Sequence, residues 1–175
     1  MRRLILLRHA KSDWPENTPD RDRPLAERGR AQAPLMGGYL AGEHIIPDLA
    51  LVSPAKRTQE TWALFSAAYS EKIRARKEPR LYATNAEAMI GLVAEAPDEA
   101  RTLLVCGHNP GAHEAALALV GHGDRYAFAR LRDGFPTCAI AIVDFAVEAW
   151  SGIAPRGGRL DRFVTPKSLG GEDSN

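Results

Sequence analysis

The sequence predicts an α/β fold: a single-domain three-layer sandwich in which a mainly parallel central sheet carries helices on both faces. Two observations predict it. Short apolar runs of strand length, at residues 3–7, 49–52 and 103–106, each give way to turn chemistry and then to a helical pattern, the alternation that β-α-β units leave in a sequence. The runs are also unbroken rather than alternating, which marks strands buried on both faces, as in parallel sheets. A chain of 175 residues suits one domain, assigned here to residues 1–167, with residues 168–175 as a frayed tail.

The first strand, residues 3–7, leads through a polar loop over 11–24 into a helix from about Ala26 to His44. Gly29, Pro34, Gly37 and Gly38 weaken that helix and predict a kink or a late start near Pro34. After the second strand, Ser53-Pro54 reads as an N-cap residue with proline at the first helical position, opening a helix to about Tyr69. A charged connection over 71–79, a weaker strand over 80–83 and a helix over 85–95 follow. Beyond the strand at 103–106, Asn109-Pro110 repeats the cap-then-proline device before a helix to about Val120. Residues 137–145 form a further strand, 146–150 pair with it through a turn, and 159–164 form the last strand.

Composition narrows the function classes. With 45% hydrophobic and 26% charged residues the chain reads as a soluble globular protein. Lys+Arg 23 against Asp+Glu 22 leaves a net charge of +1, too little to hold nucleic acid or an acidic membrane surface, so any anion chemistry is local. Cys106 and Cys138 lie inside apolar runs and read as buried hydrophobes of a reducing compartment rather than a disulfide. The apolar run at residues 4–7 is too short for a signal segment, and the expected location is cytoplasmic.

Ligands of parallel α/β sheets bind outside the carboxyl ends of the strands. Those ends carry Arg8-His9 after the first strand, Ser53 to Arg57 after the second, and Gly107-His108-Asn109 after the third. Topology thus brings two imidazoles and two guanidiniums to one edge, beside two helix N-termini with unpaired N–H groups. Paired arginines suit a tetrahedral phosphate. Lys11 and Ser12 are either phosphate contacts or loop polarity, and Arg21 and Arg23 either face the pocket entrance or are simply solvated. His113 lies close in sequence to Cys106 and His108, but the spacing fits no zinc motif, and no metal is expected. His44 and His122 sit at expected helix ends and read as structural. Trp14, Trp62 and Trp150 show no stacking rhythm for nucleic acid.

These residues resemble the histidine phosphatase superfamily. The resemblance is carried by Arg8-His9-Ala10, where the family's tripeptide ends in glycine, by Ser53-Pro-x-x-Arg57-x-x-x-Thr61, by Gly107-His108-Asn109, and by Arg23-Pro-Leu-x-x-x-Gly29. Short length, the Arg-His-Ala variant and the run from Pro136 are similar to the small SixA-type phosphohistidine phosphatases, which implies a phosphoglycerate mutase-like fold. The resemblance assigns His9 as the nucleophile and Arg8, Arg57 and His108 as the clamp on the phosphate; Asn109, Lys11, Ser12 and Arg23 are the further candidates for phosphate or substrate contact. It implies no cofactor and no metal. The implied substrate is phosphohistidine on a partner protein of a phosphorelay or phosphotransfer system.

Larger members of the superfamily place a carboxylic acid soon after the strand read at 80–83, to protonate the leaving group. Here that segment holds no carboxylate, and Glu78 and Glu87 are poor substitutes on either side. An imidazole leaves without such help whereas an alkoxide does not, which favours phosphohistidine. The alternatives are a phosphatase of small phosphomonoesters and a phosphate- or phosphoprotein-binding module without turnover.

Overall fold

The computed structural model describes residues 1–173. Its centre is β1 (Arg2–Arg8), in a seven-stranded sheet of order β3-β2-β4-β1-β6-β7-β5. The other strands are β2 (Leu49–Val52), β3 (Ala75–Lys77), β4 (Thr102–Gly107), β5 (Val120–Gly123), β6 (Ile140–Phe145) and β7 (Gly158–Val164). β3, β2, β4 and β1 run parallel, β6 is antiparallel to both its neighbours, and β5 is parallel to β7. Only β6 therefore opposes the rest, and the sheet is mainly parallel as expected.

The unbroken apolar strands divide their side chains between two cores with the period of two that a pleat imposes. Ile5 and Leu7 of β1, Ala50 and Val52 of β2, and Leu104 and Cys106 of β4 face one layer, α1 (Glu27–Gly42) and α2 (Lys56–Ser66). Leu4 and Leu6, Leu49 and Leu51, and Leu103 and Val105 face the other, α3 (Ala86–Ala94), α4 (Gly111–Leu119) and α5 (Arg125–Asp133).

Several elements differ from expectation, each for a local reason. α1 does not start late near Pro34; it begins at Glu27 and continues past the proline, which sits on the exposed face where water can serve the carbonyl that its missing N–H leaves unpaired. Two of the three glycines that weaken α1, Gly29 and Gly37, are sites of close approach, whereas Gly38 faces open space. A Cβ at Gly29 would stand 2.1 Å from the Lys11 carbonyl oxygen, and one at Gly37 would stand 2.2 Å from that of Phe65. The cost in helix propensity, about 1 kcal/mol for each glycine, lets α1 lie directly against the loop after β1 and against α2.

No strand forms at 80–83. Pro79–Leu81 is a 3₁₀ turn capped by the Glu78 side chain, which accepts from the Arg80 N–H, and the edge strand is β3, inside the segment read as a charged connection. All three β3 residues are exposed, so the strand carries no apolar signal. Residues 146–150 do not pair with β6, whose partners are β1 and β7. Trp150 instead buries its indole in the core and donates Nε1–H to the Ala100 carbonyl at 2.6 Å. β5 and α5 are elements beyond those the sequence predicts, although Asp124 caps α5 by accepting from the Ala127 N–H at 2.7 Å. From the segment read as a tail, Ser168 Oγ accepts from the Thr165 N–H, the Glu172 carbonyl accepts from Gln32 Nε2, and Asp173 accepts from the Lys167 N–H; residues 174–175 lie outside the described residues.

Candidate active site

Three adjacent parallel strands, β2, β4 and β1, end at one edge. Main-chain hydrogen bonds tie their exits together: the His9 N–H donates to the Gly107 carbonyl and the Ser53 N–H to the Cys106 carbonyl, both at 3.0 Å. Outside these ends lies a cleft of about 220 Å³, and all eight residues singled out in the sequence line it: Arg8, His9, Lys11, Ser12, Arg23, Arg57, His108 and Asn109. Trp14 and Thr137 complete the wall.

His9 is buried in the floor of the site, 8% exposed. Its Nδ1 lies 2.7 Å from the Ala10 carbonyl oxygen. A carbonyl only accepts, so the proton resides on Nδ1 and Nε2 keeps its lone pair. Burial holds the imidazole well below its usual 6.5, and the charges of Arg8 and Arg57 and the ring of His108 add to this against the opposing pull of the Ala10 carbonyl. The neutral ring is therefore the form present at neutral pH. Ala10, in the position of the family's glycine, is fully buried in the core beneath α1 and α2, so its methyl takes no space from the cleft. Its N–H donates to Thr61 Oγ1 at 2.9 Å, which ties the loop after β1 to α2.

His108 sits with its ring centroid 5.3 Å from that of His9. Its Nε2 is 2.7 Å from Ser53 Oγ. The Ala55 N–H donates to the same oxygen at 3.4 Å, and among the described residues the hydroxyl hydrogen of the fully buried Ser53 has no acceptor other than His108 Nε2, so this network assigns the ring proton to Nδ1. Burial, then the Arg57 charge, lowers the imidazole to about 4. Ser53 thus does not cap a helix as expected; α2 starts three residues later, at Lys56, and the serine orients a histidine. Asn109 departs from its expected capping role in the same way: α4 starts at Gly111, and Asn109 Nδ2 donates to the Phe135 carbonyl at 2.9 Å. Arg8 Nη1 donates to that carbonyl as well, at 3.0 Å.

The loop between β1 and α1 forms the opposite bank. Arg23 donates Nε–H to the Asp13 carbonyl at 3.0 Å, Nη1 to Asp20 Oδ1 at 3.0 Å and Nη2 to Ser12 Oγ at 2.6 Å. Arg57 donates to the Asp20 carbonyl at 2.7 Å and to Oδ2 at 3.1 Å, and the Tyr82 hydroxyl donates to Oδ2 at 2.5 Å. Asp20 and Tyr82 are site residues that the sequence does not predict. The Tyr82 hydroxyl, followed by Arg23 and Arg57, holds the Asp20 carboxyl well below the usual carboxylate range. The Lys11 N–H donates to Gln32 Oε1 at 3.0 Å. Arg21 does not line the cleft, but its guanidinium lies 5.1 Å from the centre of the Tyr82 ring.

Neither carboxylate considered as a leaving-group acid lines the cleft. Glu78 is engaged by Arg80 at 3.0 Å, and that side chain and its charge hold the carboxyl ionised, below its usual value. Glu87 is exposed in the first turn of α3. The residues weighed against a metal site diverge: Cys106 Sγ faces the Thr58 carbonyl, His108 faces Ser53, and His113 Nε2 meets the Leu131 carbonyl at 2.6 Å.

Among the described residues, the buried side-chain nitrogen and oxygen atoms without a hydrogen-bond partner are Arg8 Nε, Arg57 Nε, His108 Nδ1 and Asn109 Oδ1, all from residues of this one cleft. Buried polar atoms are normally paired, so such a concentration marks a site built for a polar ligand.

The profile of the histidine phosphatase superfamily (branch 1) matches residues 4–116, which include all eight site residues. The chain belongs to the histidine phosphatase superfamily. Among solved structures, the chain is similar to a candidate phosphohistidine phosphatase SixA from Agrobacterium tumefaciens, with 30% identity and a TM-score of 0.80 over 94% of this chain and 98% of that one. A second candidate SixA, from Nakamurella multipartitia, has 27% identity and a TM-score of 0.75 over 93% and 95% of the two chains. An uncharacterised protein of Mycobacterium tuberculosis is 34% identical over 163 residues, 92% of this chain and 100% of its own. This superfamily member is thus a phosphatase with a SixA-like fold over nearly its whole length.

Proposed function

We propose that the protein hydrolyses phosphohistidine on a partner protein of a phosphorelay or phosphotransfer system, through a phosphohistidine intermediate on His9. The observation that carries this reading is the pairing of a His9 lone pair, fixed on Nε2 by the Ala10 carbonyl, with unpartnered buried donors on Arg8, Arg57 and His108 around the same cleft. Nε2 attacks phosphorus, the bond from phosphorus to the substrate's imidazole nitrogen breaks, and that nitrogen takes its proton from solvent. Water then attacks the phosphorus of phospho-His9, releasing inorganic phosphate and restoring the free imidazole. The guanidiniums and the His108 N–H neutralise charge as the phosphoryl group passes between nitrogens, which is where such a site gains most of its rate. Positive charge comes from side chains, so no metal enters the scheme, and the two buried thiols suit the reducing cytoplasm.

The substrate class follows from the carboxylates. Glu78 is held ionised by Arg80, and Asp20 by Tyr82, Arg23 and Arg57, so neither offers a proton at neutral pH. The barrier therefore rises with the basicity of the leaving group. Single-turnover phosphorylation by a series of phosphorylated compounds tests this: phosphohistidine and activated aryl phosphates react fast, and alkyl phosphates lag far behind. A flat series, with chemistry rather than binding being timed, would favour a phosphatase of small phosphomonoesters with an acid of its own.

A further inference from the structure

The three tryptophans of the chain have different surroundings. Trp150 is fully buried, and Trp62 is partly buried and stacks on Phe65 at 6.0 Å. Trp14 is 76% exposed, yet it is held in place: the Arg23 guanidinium lies 3.3 Å from its ring centre. Arg23 is itself fixed by three separate hydrogen-bond acceptors, Ser12, Asp13 and Asp20. An exposed indole has no packing reason for such anchoring, and this one lies in the wall of the cleft that holds His9. Tyr82 adds a second ring at the site, 5.9 Å from His108 and linked to the same loop through Asp20.

From this arrangement we propose that Trp14 is a specificity-determining residue: a rigid aromatic platform at the mouth of the phosphate cleft that packs against a planar ring carried by the phosphoryl group. One face of the indole is covered by Arg23, and the remaining exposed surface is presented to the leaving group. Aromatic rings gain from offset or edge contact beyond the area they bury, and an anchored platform loses little conformational freedom on binding. The inference rests on the reading of the cleft as a phosphohistidine site and extends it: phosphoimidazole is selected by the shape of its leaving group as well as by its reactivity. Both planar phosphoimidazoles and aryl phosphates share the feature that Trp14 recognises.

The test uses binding rather than turnover, so its failure is separable from failure of the His9 chemistry. Dissociation constants of phenylphosphonate and methylphosphonate, two non-hydrolysable anions differing in the ring, are measured by calorimetry for the intact protein, Trp14→Ala and Trp14→Phe. The intact protein favours phenylphosphonate by about tenfold, a difference of the size expected for one aromatic contact. Trp14→Ala removes most of that preference, and Trp14→Phe restores part of it. Equal weakening of both ligands in Trp14→Ala would show that the indole only braces Arg23, and an unchanged ratio would show that it does not touch the ring; either result overturns the proposal.

Discussion

The corners after β1 and after β4 each deliver a histidine to the same cleft, and the two imidazoles differ only in what they lean on. His9 donates Nδ1–H to a main-chain carbonyl and leaves a lone pair on Nε2. His108 takes the Ser53 hydroxyl on Nε2 and is left with an unpartnered Nδ1–H. Both rings carry their proton on Nδ1 and both are kept neutral by burial among arginines, yet one offers a nucleophile and the other a hydrogen-bond donor. The role of a histidine here is set by its neighbour's ability to donate, not by its own chemistry.

The largest effect expected from breaking this pair is at His9. His9→Ala abolishes turnover while the protein stays folded, because the residue sits at a strand end and contributes little to either core; steady-state assays with circular dichroism check both halves. His108→Ala removes a donor rather than the nucleophile and lowers turnover on the order of a hundredfold, as does Arg57→Ala. A change confined to KM would demote either residue to ground-state binding.

Ser53→Ala sharpens the comparison by leaving both imidazoles in place and releasing the His108 tautomer. A loss of about tenfold in kcat is expected, and a double-mutant cycle should show no further loss when Ser53→Ala is added to His108→Ala. If the losses add, Ser53 acts by some route other than His108.

The smallest expected effect is on stability. Both histidines have lower pKa values folded than the usual 6.5, so the unfolded chain binds more protons as pH falls below that value. The stability they contribute is complete above 6.5 and declines as pH falls toward about 4, where His108 protonates in the folded protein. Thermal denaturation between pH 7 and pH 4.5 should show Tm falling, and His108→Asn should fall less. A Tm independent of pH in that range would contradict the buried neutral imidazoles.

The comparison also shows what was legible in the sequence. The strands of the parallel half stand out because burial on both faces writes an unbroken apolar run, and their order at one edge then places His9, Arg57 and His108 together. Ser53 and Asn109 are visible as residues but misread in role, since the same polar side chain before a proline serves either as a helix cap or as a brace for the site. β3 is exposed and leaves no apolar trace, while Gly29 and Gly37 of α1 look like helix breakers until the Lys11 and Phe65 carbonyls appear against them. Asp20 was hidden among the charges of a long loop. Its partners Arg23, Arg57 and Tyr82 come from three separate segments, a convergence that no local pattern records.

Rapid quenching in alkali decides whether the His9 lone pair takes the phosphoryl group. The intact protein is mixed with a phosphorylated histidine donor, quenched within a turnover, and the phosphoenzyme is mapped by mass spectrometry and by ³¹P NMR of the labelled residue. Phosphate is expected on Nε2 of His9, formed and lost at rates compatible with turnover. Phosphate on His108, or rapid hydrolysis with no phosphoenzyme formed at any time, would contradict it.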